Sequence, residues 1–251
     1  MAINNGLAVA IENMGFRYPG NEKISYSGLN LKITKGERFG LFGPNGAGKT
    51  TLMNLMTGVL VADTGSITLM DEQMGRSNKK ANSLFGFVPQ DFSFYHELSP
   101  VENLEFFGAW AGLNKLQIQQ RTDELLEILS LEDVRHKAVG KFSGGMKRRV
   151  NLAIGVMHNP QILFLDEPTV GVDVHTRHAI LEYLQTLNNA GTTLIYTSHQ
   201  LSEAEDLCTH IAFVDKGKII AEGDIDDVLA AHRHETLEEL FINLTGKALR
   251  D

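Results

Sequence analysis

The chain has 251 residues, of which 43% are hydrophobic and 22% charged, with 23 Lys and Arg against 31 Asp and Glu for a formal net charge of −8. That length and balance suit a soluble globular domain with a large core, and exclude collagen-like, low-complexity and disulfide-framework chains. The single cysteine, Cys208, cannot pair internally, and the acidic balance argues against nucleic acid as a partner. Charge is nevertheless uneven: residues 1–90 carry 9 basic and 6 acidic groups, and residues 131–160 carry 6 and 2. These two positive segments ask for an explanation. The N-terminal Met-Ala-Ile-Asn-Asn-Gly has no basic start of a secretory signal. No apolar run approaches the ~20 residues of a spanning helix, so a cytosolic protein is expected.

In chain order, residues 7–18 and 27–42 read as strands forming an antiparallel, β-rich entry, separated by Pro19, Gly20 and Gly28. The segment Glu37–Phe42 leads into Gly43-Pro44-Asn45-Gly46-Ala47-Gly48-Lys49-Thr50, a P-loop pattern, and Thr50–Thr57 reads as the helix behind it. Strand, glycine loop and helix is the order in which backbone N–H groups and a helix N-terminus converge on phosphate. Lys49 is the mobile cation for the outer phosphates, and the Thr50 hydroxyl can enter a Mg²⁺ shell. Leu84–Val88 is a short apolar run closed by Pro89.

Residues 91–158 change character. Ser99-Pro100-Val101-Glu102 is a capping box with proline at the first helical position. Residues 114–129 place Leu116, Leu125, Leu126 and Leu129 among charges, as in an amphipathic helix. Ser143-Gly144-Gly145-Met146-Lys147-Arg148-Arg149 opens another helix, read on its own as a capped helix with a solvated basic face, or alternatively as a second anion site.

The α/β alternation then resumes, with strands at 162–165 and 192–197, helices at 175–187 and 202–208, and a hairpin at Lys216-Gly217. Helices are expected over 224–251. Leu165-Asp166-Glu167-Pro168 follows a strand buried on both faces, at the edge where parallel sheets gather ligand chemistry. Strand alternation would point Asp166 and Glu167 in opposite directions, Asp166 to a metal and Glu167 to a water as general base. The plan is an α/β P-loop NTPase core, a mixed sheet with an antiparallel β-rich N-terminal part, over 1–90 and 159–230. A helical subdomain is inserted at 91–158, and a helical appendix closes the chain at 231–251.

The P-loop, the Ser-Gly-Gly loop about a hundred residues later and the Asp-Glu pair close behind resemble, in order and spacing over nearly the whole chain, the ATP-binding domain of ABC (ATP-binding cassette) transporters. The resemblance implies ATP and Mg²⁺ as ligands and ATP hydrolysis as the activity. It also implies a head-to-tail dimer with a second copy or a homologous subunit, in which one P-loop and the other chain's Ser143-Gly144-Gly145 enclose each ATP. Asn45, Gly46, Ala47, Gly48, Lys49, Thr50 and Thr51 fall in the nucleotide cradle. Tyr18 resembles the aromatic that stacks on adenine, and Gln90 the Q-loop glutamine that ligates Mg²⁺. Asp173 resembles the dimer-contact residue of the D-loop, and His199 the switch histidine on the γ-phosphate. Taken singly, Tyr18 reads as a strand aromatic, Gln90 as a loop amide, Asp173 as a helix cap and His199 as a structural histidine.

The run Phe142-Ser143-Gly144-Gly145-Met146-Lys147-Arg148-Arg149 departs from the usual Leu-Ser-Gly-Gly-Gln and resembles the drug-resistance and ABC-2-type exporter subgroup. An exporter ATPase on the inner face of the cell membrane, working with separate transmembrane permease subunits, is therefore expected. A soluble ABC ATPase of translation or DNA repair is the alternative, and a P-loop kinase or GTPase a more distant one, because no Asn-Lys-x-Asp motif is present.

Overall fold

The computed structural model describes residues 6–20, 25–75, 78–198 and 200–246. The entry is a four-stranded antiparallel sheet in the order β2-β1-β4-β5. Strand β1 (Leu7–Phe16) pairs with β2 (Tyr26–Thr34) through Ile11↔Leu31 and with β4 (Thr64–Leu69) through Ile11↔Ile67. Strand β5 (Glu72–Gln73) forms the edge. Neither β4 nor β5 is signalled by hydrophobic pattern, since only Ile67 and Leu69 of β4 are buried.

The expected single strand over 27–42 is two strands in two sheets. Gly36 takes a left-handed φ of 75° and its N–H donates to Thr193 Oγ1 at 2.9 Å, turning the chain out of β2. Strand β3 (Arg38–Phe42) then enters the central six-stranded sheet.

That sheet has the order β10-β9-β3-β8-β7-β6, built from β6 (Phe85–Val88), β7 (Ile162–Asp166), β8 (Thr193–Thr197), β9 (His210–Asp215) and β10 (Lys218–Asp224) around β3. Pairing is parallel throughout except for the β9–β10 hairpin at the edge. Residues on its strands alternate between two cores. Phe39, Leu41, Ile162, Phe164, Ile195, Ala212 and Val214 face the antiparallel sheet and helix α1 (Lys49–Met56). Leu163, Leu165, Leu194, Tyr196, Ile211 and Phe213 face the helical layer. Every residue of β7 and β8 is buried, which is why these strands read as continuous apolar runs.

The helical layer comprises α3 (Pro100–Trp110), α4 (Lys115–Ile128), α5 (Gly144–Val156), α6 (Val174–Asn189), α7 (Leu201–Leu207), α8 (Ile225–His232) and α9 (Leu237–Thr245); a one-turn α2 (Lys79–Asn82) precedes β6. Helix α3 starts at the expected Ser99 capping box, and α4 at a second one formed by Asn114 and Gln117. The buried stripe of α4 is Ile118, Thr122, Leu125 and Leu126. Leu116 lies off that 3.6-residue phase and is 63% exposed, contrary to expectation.

Helix α5 approaches β6 backbone to backbone. A Cβ on Gly86 would stand 1.9 Å from the Gly155 carbonyl oxygen, and a Cβ on Gly155 would stand 2.5 Å from Val88 Cγ2. Only glycine at both positions admits this contact. It sets the start of α5 beside the loop that follows β6.

Candidate nucleotide site

The glycine loop leaves β3 at Phe42 and enters α1 at Lys49. A side chain at Gly43 would collide with the Val214 carbonyl oxygen at 2.1 Å, so the loop lies directly on β9. Gly48, with φ of 114°, occupies the N-cap position of α1, and no side chain caps that helix. Its first-turn N–H groups therefore carry the partial positive charge of a helix terminus toward the open side of the loop, where Asn45 and Gly46 are exposed.

Lys49 is 7% exposed, and its ammonium donates to the carbonyl oxygens of Gly43 at 2.8 Å and Pro44 at 3.4 Å. Burial lowers its proton affinity, while Glu167 and then Asp166 act in the opposite sense. Thr50 is exposed at the loop edge. The next residue, Thr51, shares a 3.0 Å hydrogen bond with the Tyr18 hydroxyl. Tyr18 lies beyond the end of β1, 38% exposed, its ring edge-on to Phe16. It is a loop aromatic at the mouth of the cradle rather than a core residue of a strand.

At the end of β7, Asp166 is 2% and Glu167 6% exposed. The Thr197 hydroxyl donates to Asp166 Oδ1 at 2.7 Å and accepts from the Glu167 N–H at 3.1 Å. The expected strand alternation does not orient Glu167. The strand stops at Asp166, and Glu167 takes a left-handed φ of 53°. Such a conformation costs a non-glycine residue on the order of 1–3 kcal/mol and persists where the surroundings enforce it. Here the enforcing partners are the carbonyl and hydroxyl of Thr197. Gln90, in the loop after β6, donates from Nε2 to Glu167 Oε2 at 3.0 Å.

Ser143 caps α5, its hydroxyl accepting from the Met146 N–H at 3.3 Å, with Ser143 and Gly144 exposed. A Cβ on Gly144 would meet the Gly171 oxygen at 3.6 Å, and one on Gly145 would meet Thr176 at 3.2 Å. Asp173 caps α6, accepting from the N–H and hydroxyl of Thr176 at 2.9 and 2.8 Å, bonds that hold its carboxyl below the usual range. The structure thus gathers Lys49, Gln90, Asp166 and Glu167 at the ends of β3, β6 and β7. The Ser143 loop lies against the segment that follows β7. His199 lies outside the described residues.

A family model described as ABC transporter matches residues 26–170. The chain belongs to the ABC transporter family. This cassette is 40% identical over 227 residues to the linearmycin resistance ATP-binding protein LnrL of Bacillus subtilis (strain 168), covering 90% of this chain and 73% of that one. It is 39% identical over 233 residues to the Nod factor export ATP-binding protein I of Rhizobium sp. (strain N33), covering 93% and 77%. Among solved structures it resembles an ATP-binding subunit of an ABC transporter, with a TM-score of 0.87 at 26% identity over 95% of this chain and 99% of that one. It also resembles a dimeric ATP-binding cassette in a post-hydrolysis state bound to ADP and Pi, with a TM-score of 0.79 at 25% identity over 86% and 98%. As an ABC ATPase the protein binds ATP and couples its hydrolysis to transport, which favours that reading over the soluble alternative. No helix among its described residues is long and apolar enough to cross a membrane.

Three groups around the cassette's site were not singled out by the sequence. Thr197 could have been found once β8 was paired with β7, because its hydroxyl then falls beside Asp166. Arg148 was assigned to a solvated basic face but is 4% exposed, because the helix turns it inward against Phe92. Glu203, on α7, is 3% exposed and accepts from Thr169 Oγ1 at 2.7 Å, the Tyr196 hydroxyl at 2.5 Å and Ser198 Oγ at 2.9 Å, with Arg177 Nε 3.0 Å from its other oxygen. It ties the turn after Glu167 to the end of β8. No periodic signal marks a buried glutamate in so short a helix.

Proposed function

We propose that this chain is the ATP-hydrolysing subunit of an exporter, with Glu167 as the general base that polarises the attacking water. The observation that carries this reading is the Glu167 carboxylate, buried at the end of β7 and held by the Gln90 amide at 3.0 Å. Lys49 provides the nearby positive charge. A base must be oriented toward its water before it can act, and a fixed acceptor geometry supplies that orientation.

Lys49 and the N–H groups of Gly46, Gly48, Thr50 and Thr51 bind the phosphates, with Asn45 and Ala47 shaping the loop. Tyr18 stacks on the base, and its bond to Thr51 ties that ring to the cradle. The donor set fits Mg²⁺, a hard cation that takes few protein ligands: the Asp166 carboxylate, the Thr50 hydroxyl and the Gln90 amide oxygen are all oxygen donors. When bound, the ion neutralises charge on the outer phosphates. His199 acts on the γ-phosphate.

In the working assembly two cassettes face head to tail, and Ser143, Gly144 and Gly145 of each close over the nucleotide held by the other. The exposed Ser143 and Gly144 at the start of α5 suit that task. Separate permease subunits carry the cargo, with this chain peripheral on the cytoplasmic side and residues 91–158 as the contact. The names of the relatives, resistance to linearmycin and export of Nod factor, favour export over import.

The test is Glu167→Gln, which keeps shape and removes the base. Turnover is expected to vanish while saturating ATP converts the variant to a dimer by light scattering. A variant that still turns over, or that stays monomeric with ATP, overturns the reading.

A further inference from the structure

We infer that Arg148 is a positioning residue for hydrolysis, holding the main chain on both sides of the Gln90–Glu167 bond at a fixed separation. Its guanidinium donates from Nη1 to the Gln90 carbonyl at 2.9 Å and reaches the Pro89 carbonyl at 3.5 Å. From Nη2 it reaches the Val170 carbonyl at 3.5 Å. Val170 belongs to the turn that starts at Glu167, closed by the Val170 N–H on the Glu167 carbonyl at 3.3 Å. One planar group therefore touches the backbone that carries the Gln90 amide and the backbone that carries the Glu167 carboxylate.

The placement is supported from three sides. The guanidinium carbon lies 4.9 Å from the centroid of the Phe92 ring. One turn further along α5, Asn151 donates to the Pro89 carbonyl at 3.0 Å and accepts from the Ser93 N–H and hydroxyl at 3.3 and 3.2 Å. The Gly86–Gly155 contact fixes α5 against β6. A buried cation is costly, and an apolar side chain of the same length would fill the space more cheaply. What the apolar chain lacks is a rigid fork of donors aimed at two separate strands of backbone. Because Arg148 follows Ser143 by little more than one helical turn, the strap also links the loop that closes on a partner's nucleotide to the base of its own site.

The inference rests on Glu167 being the base. The experiment is a double-mutant cycle in the full chain with Arg148→Met and Gln90→Ala, reading kcat, KM for ATP and melting temperature. Each single change is expected to lower kcat about tenfold, the worth of one hydrogen bond to a charged group. KM is expected to stay within about threefold, and the double variant to be no slower than either single one. Arg148→Lys, which keeps the charge and loses the fork, is expected to behave like Arg148→Met, and replaces it in the cycle if the Met variant does not fold. Independent, multiplying losses, or a raised KM with unchanged kcat, overturn the role of Arg148. If Glu167→Gln is inactive and Gln90→Ala impaired while both Arg148 variants turn over normally, the base assignment stands and the strap falls. If Glu167→Gln turns over, the base assignment itself has failed.

Discussion

The amide of Gln90 and the carboxylate of Glu167, 77 residues apart in the chain, are joined by a 3.0 Å hydrogen bond across the ends of adjacent strands β6 and β7. Replacing Gln90 by glutamate would set two carboxylates at that separation, where the ionised form of each raises the proton affinity of the other. A general base works only when ionised. The acid limb of the pH–rate profile for Gln90→Glu should therefore move upward by about 1–2 pH units, with activity recovered on the alkaline side. An unchanged acid limb, measured as kcat/KM for ATP against pH, would separate Gln90 from the base.

Thr197→Val keeps the shape of a buried side chain and removes the hydroxyl that serves Asp166 and the Glu167 N–H together. The Glu167 N–H keeps the Thr197 carbonyl at 3.2 Å, so the loss falls on the Asp166 carboxylate and should cost about 1–3 kcal/mol. Urea unfolding should show the loss as a lower midpoint at constant slope, and ATPase activity should fall with it. A stable but inactive variant would mean that the hydroxyl orients the acids without holding the fold.

The carboxylate of Glu203 gathers three hydroxyl donors and Arg177. Glu203→Ala strands these donors in the interior, and breaking such a buried set costs about 3–5 kcal/mol, somewhat less here because Arg177 is partly open to solvent. Glu203→Gln keeps most acceptor capacity and should cost less. Thermal melts of the two variants compare the values directly, and equal losses would show that the charge itself matters.

Cys208 is buried, and desolvation pushes its thiol from 9.0 up to about 12. In the unfolded chain the thiol ionises near the ordinary value, so above about pH 9 the unfolded state binds fewer protons than the folded one. Stability then falls as pH rises from about 9 toward 12, and below about 9 this group contributes no pH dependence. Cys208→Ala should flatten part of that alkaline decline, and the native thiol should resist alkylation at pH 8 until denaturant is added. Rapid labelling of the folded protein would contradict its burial.

The sequence marked those parts of the site in which one short segment carries both geometry and chemistry. The glycine loop and the caps at Ser99, Ser143 and Asp173 are local devices bonded within a few residues, and Asp166-Glu167 stands out as an adjacent acid pair at the end of an apolar run, although its partners are distant. What escaped depends on distant partners. The break between β2 and β3 needs Thr193 to hold Gly36, and the left-handed turn at Glu167 needs Thr197. Arg148 sits in a run of charges that reads as solvated until β6 and its loop are placed against α5. Glu203 makes no sense in α7 alone, because its donors come from three other segments. Leu116 failed for a simpler reason: four leucines suggested an apolar face, but helical phase, not leucine count, chose Ile118 and Thr122 for the interior.

The paired glycines 86 and 155 put main chain against main chain where α5 crosses β6. Side chains between a strand and a helix act as a cushion that can shift rotamers and absorb displacement. Here there is no cushion. A push on the loop after β6 therefore reaches α5 as a rigid body, through this seat near its C-terminal end and through the Arg148 and Asn151 side chains nearer its start, so the loop that carries Gln90 and the loop proposed to clasp a second cassette are geared together.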